Sequence, residues 1–238
     1  MGKLLTWLFV AGKMGKLLTT GGTMLLSIFA YSMVFGWPYA VGFVLLIFFH
    51  EMGHYIAARL CGLDVGAPMF IPFVGAWISM KELPHNVHTE AYVGFAGPFA
   101  GTIASLICYW IARSFDSHLM LALAYAGIMI NLFNLIPISP MDGGRITAII
   151  SPKVWLFGMP LLAALFLYNP SPMLILIAIL AFPQVKAALQ KDGGASNMPE
   201  GYYDVPMETR VNYAVFYLGL TGFLAIMAYQ LHGNLAGV

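Results

Sequence analysis

Stretches without a single charged residue divide this chain. Leu17 to His50 lacks Asp, Glu, Lys and Arg over 34 residues, Ala91 to Ala112 over 22, Ser117 to Met141 over 25 and Val154 to Val185 over 32. About 20 mostly apolar residues cross a bilayer as a helix. The first stretch suffices for one span and most of a second, with a break near Gly36–Pro38, which predicts helices over about 18–36 and 39–60. The second and third stretches each predict one span. The fourth is interrupted by "NPSP" at Asn169–Pro172, and prolines end helices, so it predicts a hairpin of two spans. Val211 to about Leu231 supplies the last. The predicted fold class is an all-α polytopic membrane protein of about six to seven transmembrane helices, with a short β-hairpin or re-entrant loop after the helix over 39–60.

That loop lies in Gly62 to Glu90, a connection too interrupted by Pro and Gly for a helix. Its segment "MFIPFVGAWISM", Met69 to Met80, is rich in β-formers and suits a short hairpin or edge strand. At membrane depth, irregular backbone is tolerated only against protein or a wet cavity. Asp192 to Glu208 is polar and reads as a loop.

Composition agrees with the pattern. Hydrophobic residues make up 60% of the chain and charged residues 9%, against about 25% in soluble domains, and mean hydropathy is +0.82. A net charge of +1 and few, scattered basic residues exclude a nucleic-acid partner. Cys61 and Cys108 form no CxxC pair. The N-terminus has no A-x-A cleavage pattern and reads as retained; "MGKLLT" occurs twice, at Met1–Thr6 and Met14–Thr19, too briefly for a repeat fold. Trp7, Trp37, Tyr39, Tyr109 and Trp110 read as interface anchors.

With the N-terminus placed in the cytoplasm, threading seven spans puts Lys3, Lys13, Lys16, Arg59, Lys81, Arg145, Lys153, Lys186, Lys191 and Arg210 on that side, leaving only Arg113 opposite. This bias predicts a multi-pass cell-membrane protein with cytoplasmic N-terminus and a site opening to the cytoplasm.

Most acids fall in connections, Glu90 and Glu208 among them. Glu51 lies inside the predicted helix over 39–60, and Asp142 at the end of the fourth span. An ionisable group within a span is a functional candidate because of its cost there. Glu51 belongs to "HEMGH". On a helix, His50 and His54 share a face and can grip one ion, while Glu51 can reach a water on it. Zinc accepts such nitrogen ligands tetrahedrally and keeps one position open in catalytic sites. Asp142 sits in "NLFNLIPISPMDGGR", where Pro137 and Pro140 break the helix and Gly143–Gly144 allow a tight turn, presenting a carboxylate at comparable depth as candidate third ligand.

Together these motifs resemble the site-2 proteases, intramembrane zinc metalloproteases whose signatures are H-E-x-x-H in one span and N-x-x-P-x-x-P-x-D-G in a later one. Here they read "HEMGH" and "NLIPISPMDGG", Asn134 to Gly144. A G-P-x-x-N-like turn of the family corresponds to "GFAGPFAG", Gly94 to Gly101, with Gly101 where Asn is often found; its loss would remove a polar contact to substrate. Met141 stands where Leu commonly precedes the aspartate, and "FVGAW", Phe73 to Trp77, offers only Gly75 for the G-x-G pattern of the embedded loop. The resemblance implies one Zn2+ per chain held by His50, His54 and Asp142, Glu51 as general base, and Asn134 near the substrate carbonyl. It implies hydrolysis of peptide bonds within or near transmembrane segments of membrane-protein substrates, as in regulated intramembrane proteolysis. A single membrane-embedded domain is expected over 1–238, with its core at 39–145, auxiliary helices at 18–36 and 152–231, and no PDZ or CBS module.

Two other readings compete. A metal transporter would use the same residues as a transit site, but one compact site is not a relay. A catalytically dead scaffold would have lost Glu51 or a ligand, and none is lost. His85 and His88 read as loop histidines, and His118 and His232 as interfacial. Oligomeric state has no signature in the sequence.

Overall fold

The computed structural model describes residues 2–77, 84–190 and 198–236, with side chains described within 19–235. Lys81, Glu82, Lys191, Asp192 and the segment 78–80 lie outside the described residues, as do the side chains of Lys3, Lys13 and Lys16. In chain order the elements are α1 (Gly2–Phe35), α2 (Trp37–Leu60), β1 (Met69–Ile71), β2 (Gly75–Trp77), α3 (Val87–Phe115), α4 (His118–Asn134), α5 (Asp142–Ile150), a 3-10 turn (Pro152–Phe157), α6 (Gly158–Tyr168), α7 (Pro172–Ala188) and α8 (Met207–Ala236). The expected helical class holds, with one two-stranded sheet among the described residues.

Local chemistry sets the helix ends. Gly36, at φ 81°, separates α1 from α2, and Pro38 sits in the first turn of α2, where its missing N–H costs nothing. Asn86 caps α3 by accepting from the Thr89 amide at 2.8 Å, and Ser117 caps α4 from Met120 at 3.3 Å. Ser171 and Pro172 start α7, the restart expected from "NPSP".

Among the described residues, three helices, Trp37–Leu60, Val87–Phe115 and Met207–Leu235, are long and apolar enough to cross a membrane; Thr19–Phe35, His118–Asn134, Pro152–Tyr168 and Pro172–Ala188 are shorter apolar segments. Seventeen helical residues reach only about 26 Å, so His118–Asn134 and Pro172–Ala188 fall short of a full bilayer core, whereas Thr19–Phe35 is the end of the 34-residue α1. Large apolar side chains such as Leu25, Phe29, Ile107, Ile179, Phe216 and Ile226 are exposed, the surface of a membrane protein rather than a soluble one.

Several expectations are corrected. The third apolar stretch, Ser117 to Met141, is not helical to Met141: α4 stops at Asn134, ahead of the break expected at Pro137 and Pro140, and residues 135–141 are irregular. Residues 142–150 then form a helix that was not expected, so Asp142 opens α5 rather than trailing α4. Gly143 and Gly144 serve close approach and not a turn, since a Cβ on Gly143 would run into the carbonyls of Leu135 and Ile136. Likewise Gly94 to Gly101 is no turn: α3 passes helically through Pro98. Glu90 and Glu208, placed in connections by sequence, lie in the first turns of α3 and α8.

The core joins these pieces around α3 and α4. Leu135 and Ile146 pack with Ala124, Ile128, Tyr217 and Leu224, which brings α4, α5 and α8 together. On the other side α1 packs on α2 through Ile28, Tyr31, Val44 and Ile47, and Phe70 of β1 completes that cluster.

Candidate active site

The α2 helix carries "HEMGH" through its buried face. His50 and His54, one turn apart, direct their Nε2 atoms to the same point, 3.1 Å from each other. Asp142, the first residue of α5, brings Oδ2 to 3.1 Å from His50 Nε2 and 3.2 Å from His54 Nε2. The three residues are only 4, 8 and 7% exposed. The carboxylate oxygen has no other hydrogen-bond partner.

This triangle fits a tetrahedral zinc. Ligands at about 2.0–2.1 Å from zinc, arranged tetrahedrally, stand about 3.3 Å apart. The donor set is also right. His50 Nδ1 lies 2.8 Å from Asn131 Oδ1 and His54 Nδ1 lies 2.7 Å from the Val93 carbonyl. Each Nδ1 faces an oxygen and so carries the ring hydrogen, leaving both Nε2 atoms as lone pairs. Two nitrogen lone pairs and a carboxylate converging in a buried space make three acceptors with no donor, an arrangement stabilised by a cation. Among the described residues, His50, His54 and Asp142 are the group of metal-ligating side chains that meets in this way.

Glu51 is half-buried beside them. A cavity of about 330 Å³ is lined by His50, Glu51, His54, Asp142, Asn134 and Arg145, with residues of α7 closing it. A second, of about 480 Å³, reaches the same His50, Glu51 and Asn134 from the side of α1 and α4. Glu51 therefore stands where two hollows meet. Asn134 lines both hollows, but its Nδ2 donates to the Ile130 carbonyl at 3.1 Å, within its own helix.

The β-hairpin covers this cleft. β1 and β2 pair antiparallel, Phe70 opposite Ala76. The β1 side is tied to α1: the Phe70 amide donates to Thr23 Oγ1 at 3.2 Å and the following Phe73 amide to Tyr31 Oη at 3.1 Å. Val74 and Ala76 consequently line both hollows. The expected β element is present over Met69–Trp77, with Gly75 at φ 123°.

Other candidates sort themselves out. The His88 ring packs edge-on against Tyr213, and His232 stands beside Tyr125, away from the cluster. Cys61 and Cys108 are free thiols. The residue that sequence reasoning missed is Asn131, 2% exposed and bonded to His50. Its signal was present: a lone amide in an apolar span carries the same cost argument that singled out the acids. Gly101 is also reread. It is buried against Asn131, so a side chain there would meet that amide and not a substrate.

Comparison with known proteins bears on this arrangement. Residues 38–117 match the model of Peptidase family M50, a stretch that holds nearly all of α2, the hairpin and α3 and ends before Asp142. The chain is 34% identical over 124 residues to a zinc metalloprotease of Methanocaldococcus jannaschii, covering 48% of this chain and 36% of that protein. It is 23% identical over 155 residues to the Arabidopsis thaliana protein named "Probable zinc metalloprotease EGY1, chloroplastic", covering 45% of this chain and 28% of that one. The chain thus spans about a third of the length of these curated relatives. The solved site-2 protease from Methanocaldococcus jannaschii superposes with a TM-score of 0.46 at 23% identity, over 74% of this chain and 86% of that one. The segment that carries both histidines is thus similar to peptidase family M50 and to named zinc metalloproteases.

Proposed function

We propose that this chain is an intramembrane zinc metalloprotease that hydrolyses peptide bonds within or near transmembrane segments of other membrane proteins, as in regulated intramembrane proteolysis. The observation that carries this reading is the convergence of His50 Nε2, His54 Nε2 and Asp142 Oδ2 beside Glu51, on a helix of bilayer length. His50, His54 and Asp142 would hold one Zn2+. When bound, zinc supplies Lewis acidity, polarising a peptide carbonyl and making water nucleophilic near neutral pH.

The protein residues do the rest. Glu51 accepts the proton of the attacking water and returns it to the leaving amine. Asn134, once its Nδ2 leaves the Ile130 carbonyl, donates to the oxyanion that develops on the substrate. A helical substrate hides its carbonyls in its own hydrogen bonds and has to unwind. Strand addition along β2 would hold the unwound peptide against the cleft, since β1 is already engaged by α1. Proline substitutions in the described strand β2 test this step: cleavage that survives them would discard it.

The reading treats the chain as one membrane-embedded domain whose core is 39–145, with the cytoplasmic face at the end where Arg59, Arg145 and Arg210 gather by topology. The deciding experiment reconstitutes the protein in liposomes with a membrane-embedded reporter peptide. Wild type is expected to cleave it, and Glu51→Gln to keep zinc while losing cleavage. Cleavage by Glu51→Gln equal to wild type would end the proposal.

A further inference from the structure

We propose that Asn131 is the positioning residue that makes His50 a metal ligand, and that Gly101 is small in order to make room for it. The proposal rests on the metal-site reading above and adds a device that neither motif contains.

Asn131 is nearly inaccessible within α4, where an unpaired amide would be costly. Its Nδ2 donates to the Gly127 carbonyl at 2.7 Å. That contact decides which way the amide points. Turning it over would set Oδ1 against a carbonyl oxygen, two acceptors face to face, so Oδ1 is held toward α2. There it lies 2.8 Å from His50 Nδ1. An amide oxygen only accepts, so the imidazole hydrogen is fixed on Nδ1 and the lone pair on Nε2, the atom facing His54 and Asp142.

The two histidines are thereby secured by different means. His54 is held by a backbone carbonyl, that of Val93, which substitution cannot remove. His50 depends on a side chain. That side chain in turn depends on α3: a Cβ built on Gly101 would collide with Asn131 Oδ1 and stand 2.7 Å from Nδ2 and 2.9 Å from Cγ. A methyl at position 101 would therefore displace the amide without touching either histidine directly.

The test measures Zn2+ affinity of the purified full chain in detergent by competition with a chromophoric chelator. Asn131→Ala is expected to weaken zinc by about 10–100-fold, the usual effect of losing a partner that orients a ligand. Asn131→Asp retains an acceptor for Nδ1 but sets its second oxygen against the Gly127 carbonyl, so it is expected to recover part of that loss, which a purely structural role would not allow. Gly101→Ala is expected to weaken zinc in the presence of Asn131 and to add little in the Asn131→Ala background, a coupling that marks the two as one unit. His50→Ala is the control. Loss of zinc in His50→Ala with unchanged affinity in Asn131→Ala and Gly101→Ala overturns the positioning role and leaves the metal site standing. Unchanged affinity in His50→Ala itself overturns both. Should Asn131→Ala fail to fold, Asn131→Ser, too short to reach His50 or to meet a side chain at 101, takes its place, and losses in Gly101→Ala and Asn131→Ser that simply add in the double variant would also reject the coupling.

Discussion

The hydroxyl of Tyr217 on α8 donates to the Leu135 carbonyl across 2.6 Å, inside the irregular segment that leads to Asp142. Leu135 is 1% exposed, so its carbonyl has no water to turn to. The same carbonyl stands where a side chain at Gly143 would go, which places it against the first turn of α5. A helix more than seventy residues downstream thus braces the third candidate ligand. Tyr217→Phe removes the donor and leaves the carbonyl buried and unpaired. The expected cost is about 1–3 kcal/mol, read from unfolding in mixed micelles. Wild-type stability in Tyr217→Phe would show that the brace contributes nothing.

Gly97 tests the opposite wall of the site. It lies on α3, and a Cβ there would overlap the His54 imidazole at Nε2, Cε1 and Cδ2. Nε2 is the atom that faces His50 and Asp142, so the ring would have to leave its position. Gly97→Ala is expected to abolish cleavage and to lower zinc affinity further than Gly101→Ala does, because it strikes a candidate ligand and not a candidate ligand's support. Overpacking of this kind also costs about 1–3 kcal/mol of stability. A Gly97→Ala protein with native zinc affinity would mean that His54 is not held where the structure puts it.

How much of this could be read from the sequence follows from the range of each signal. His50, Glu51 and His54 were legible because helix periodicity alone puts them on neighbouring positions of one turn. Asp142 was legible as a residue but not as part of an element. Gly143 and Gly144 lower helix propensity and look like a turn, yet they begin α5 because only a missing side chain fits beneath Leu135 and Ile136. The span over Ala91–Ala112 was legible from its lack of charge; the turn expected inside it at Gly94–Gly101 was not formed, because packing against α2 and α4 carries α3 helically through Pro98. Asn131 escaped because its meaning depends on a partner 81 residues away. Short-range rules carried the ligands; tertiary contacts carried what holds them.

Arg210 ties the last helix to the site's base. Its guanidinium donates to the carbonyls of Ile149 at 2.9 Å, Ile150 at 3.2 Å and Tyr203 at 2.6 Å. The first two are end-of-helix carbonyls of α5, which otherwise lack partners. Arg210→Gln cannot span all three. It is expected to loosen the end of α5 and the segment 198–206 together, seen as faster amide exchange in both by mass spectrometry, with the exchange of α2 unchanged. Faster exchange confined to α8 would show that Arg210 does not couple these segments.

Alkaline stability should depend on the tyrosines of that same segment. Burial, and then the neighbouring Glu90 carboxylate, push the Tyr203 phenol up to about 12 from its ordinary value near 10, and they raise Tyr202 as well, which donates to Glu90 Oε2 at 2.8 Å. The sign follows from proton counting. Between pH 10 and 12 the unfolded chain has released the Tyr203 proton and the folded chain still holds it. The unfolded state binds fewer protons there, so stability falls as pH rises. The contribution is fully present below pH 10 and is gone above about 12. Wild-type melting temperature is therefore expected to stay level to about pH 10 and then decline, and Tyr203→Phe, which has no proton to lose, to decline less steeply over that window. Parallel melting curves for the two proteins between pH 10 and 12 would show that burial and Glu90 do not hold the Tyr203 phenol above its ordinary value.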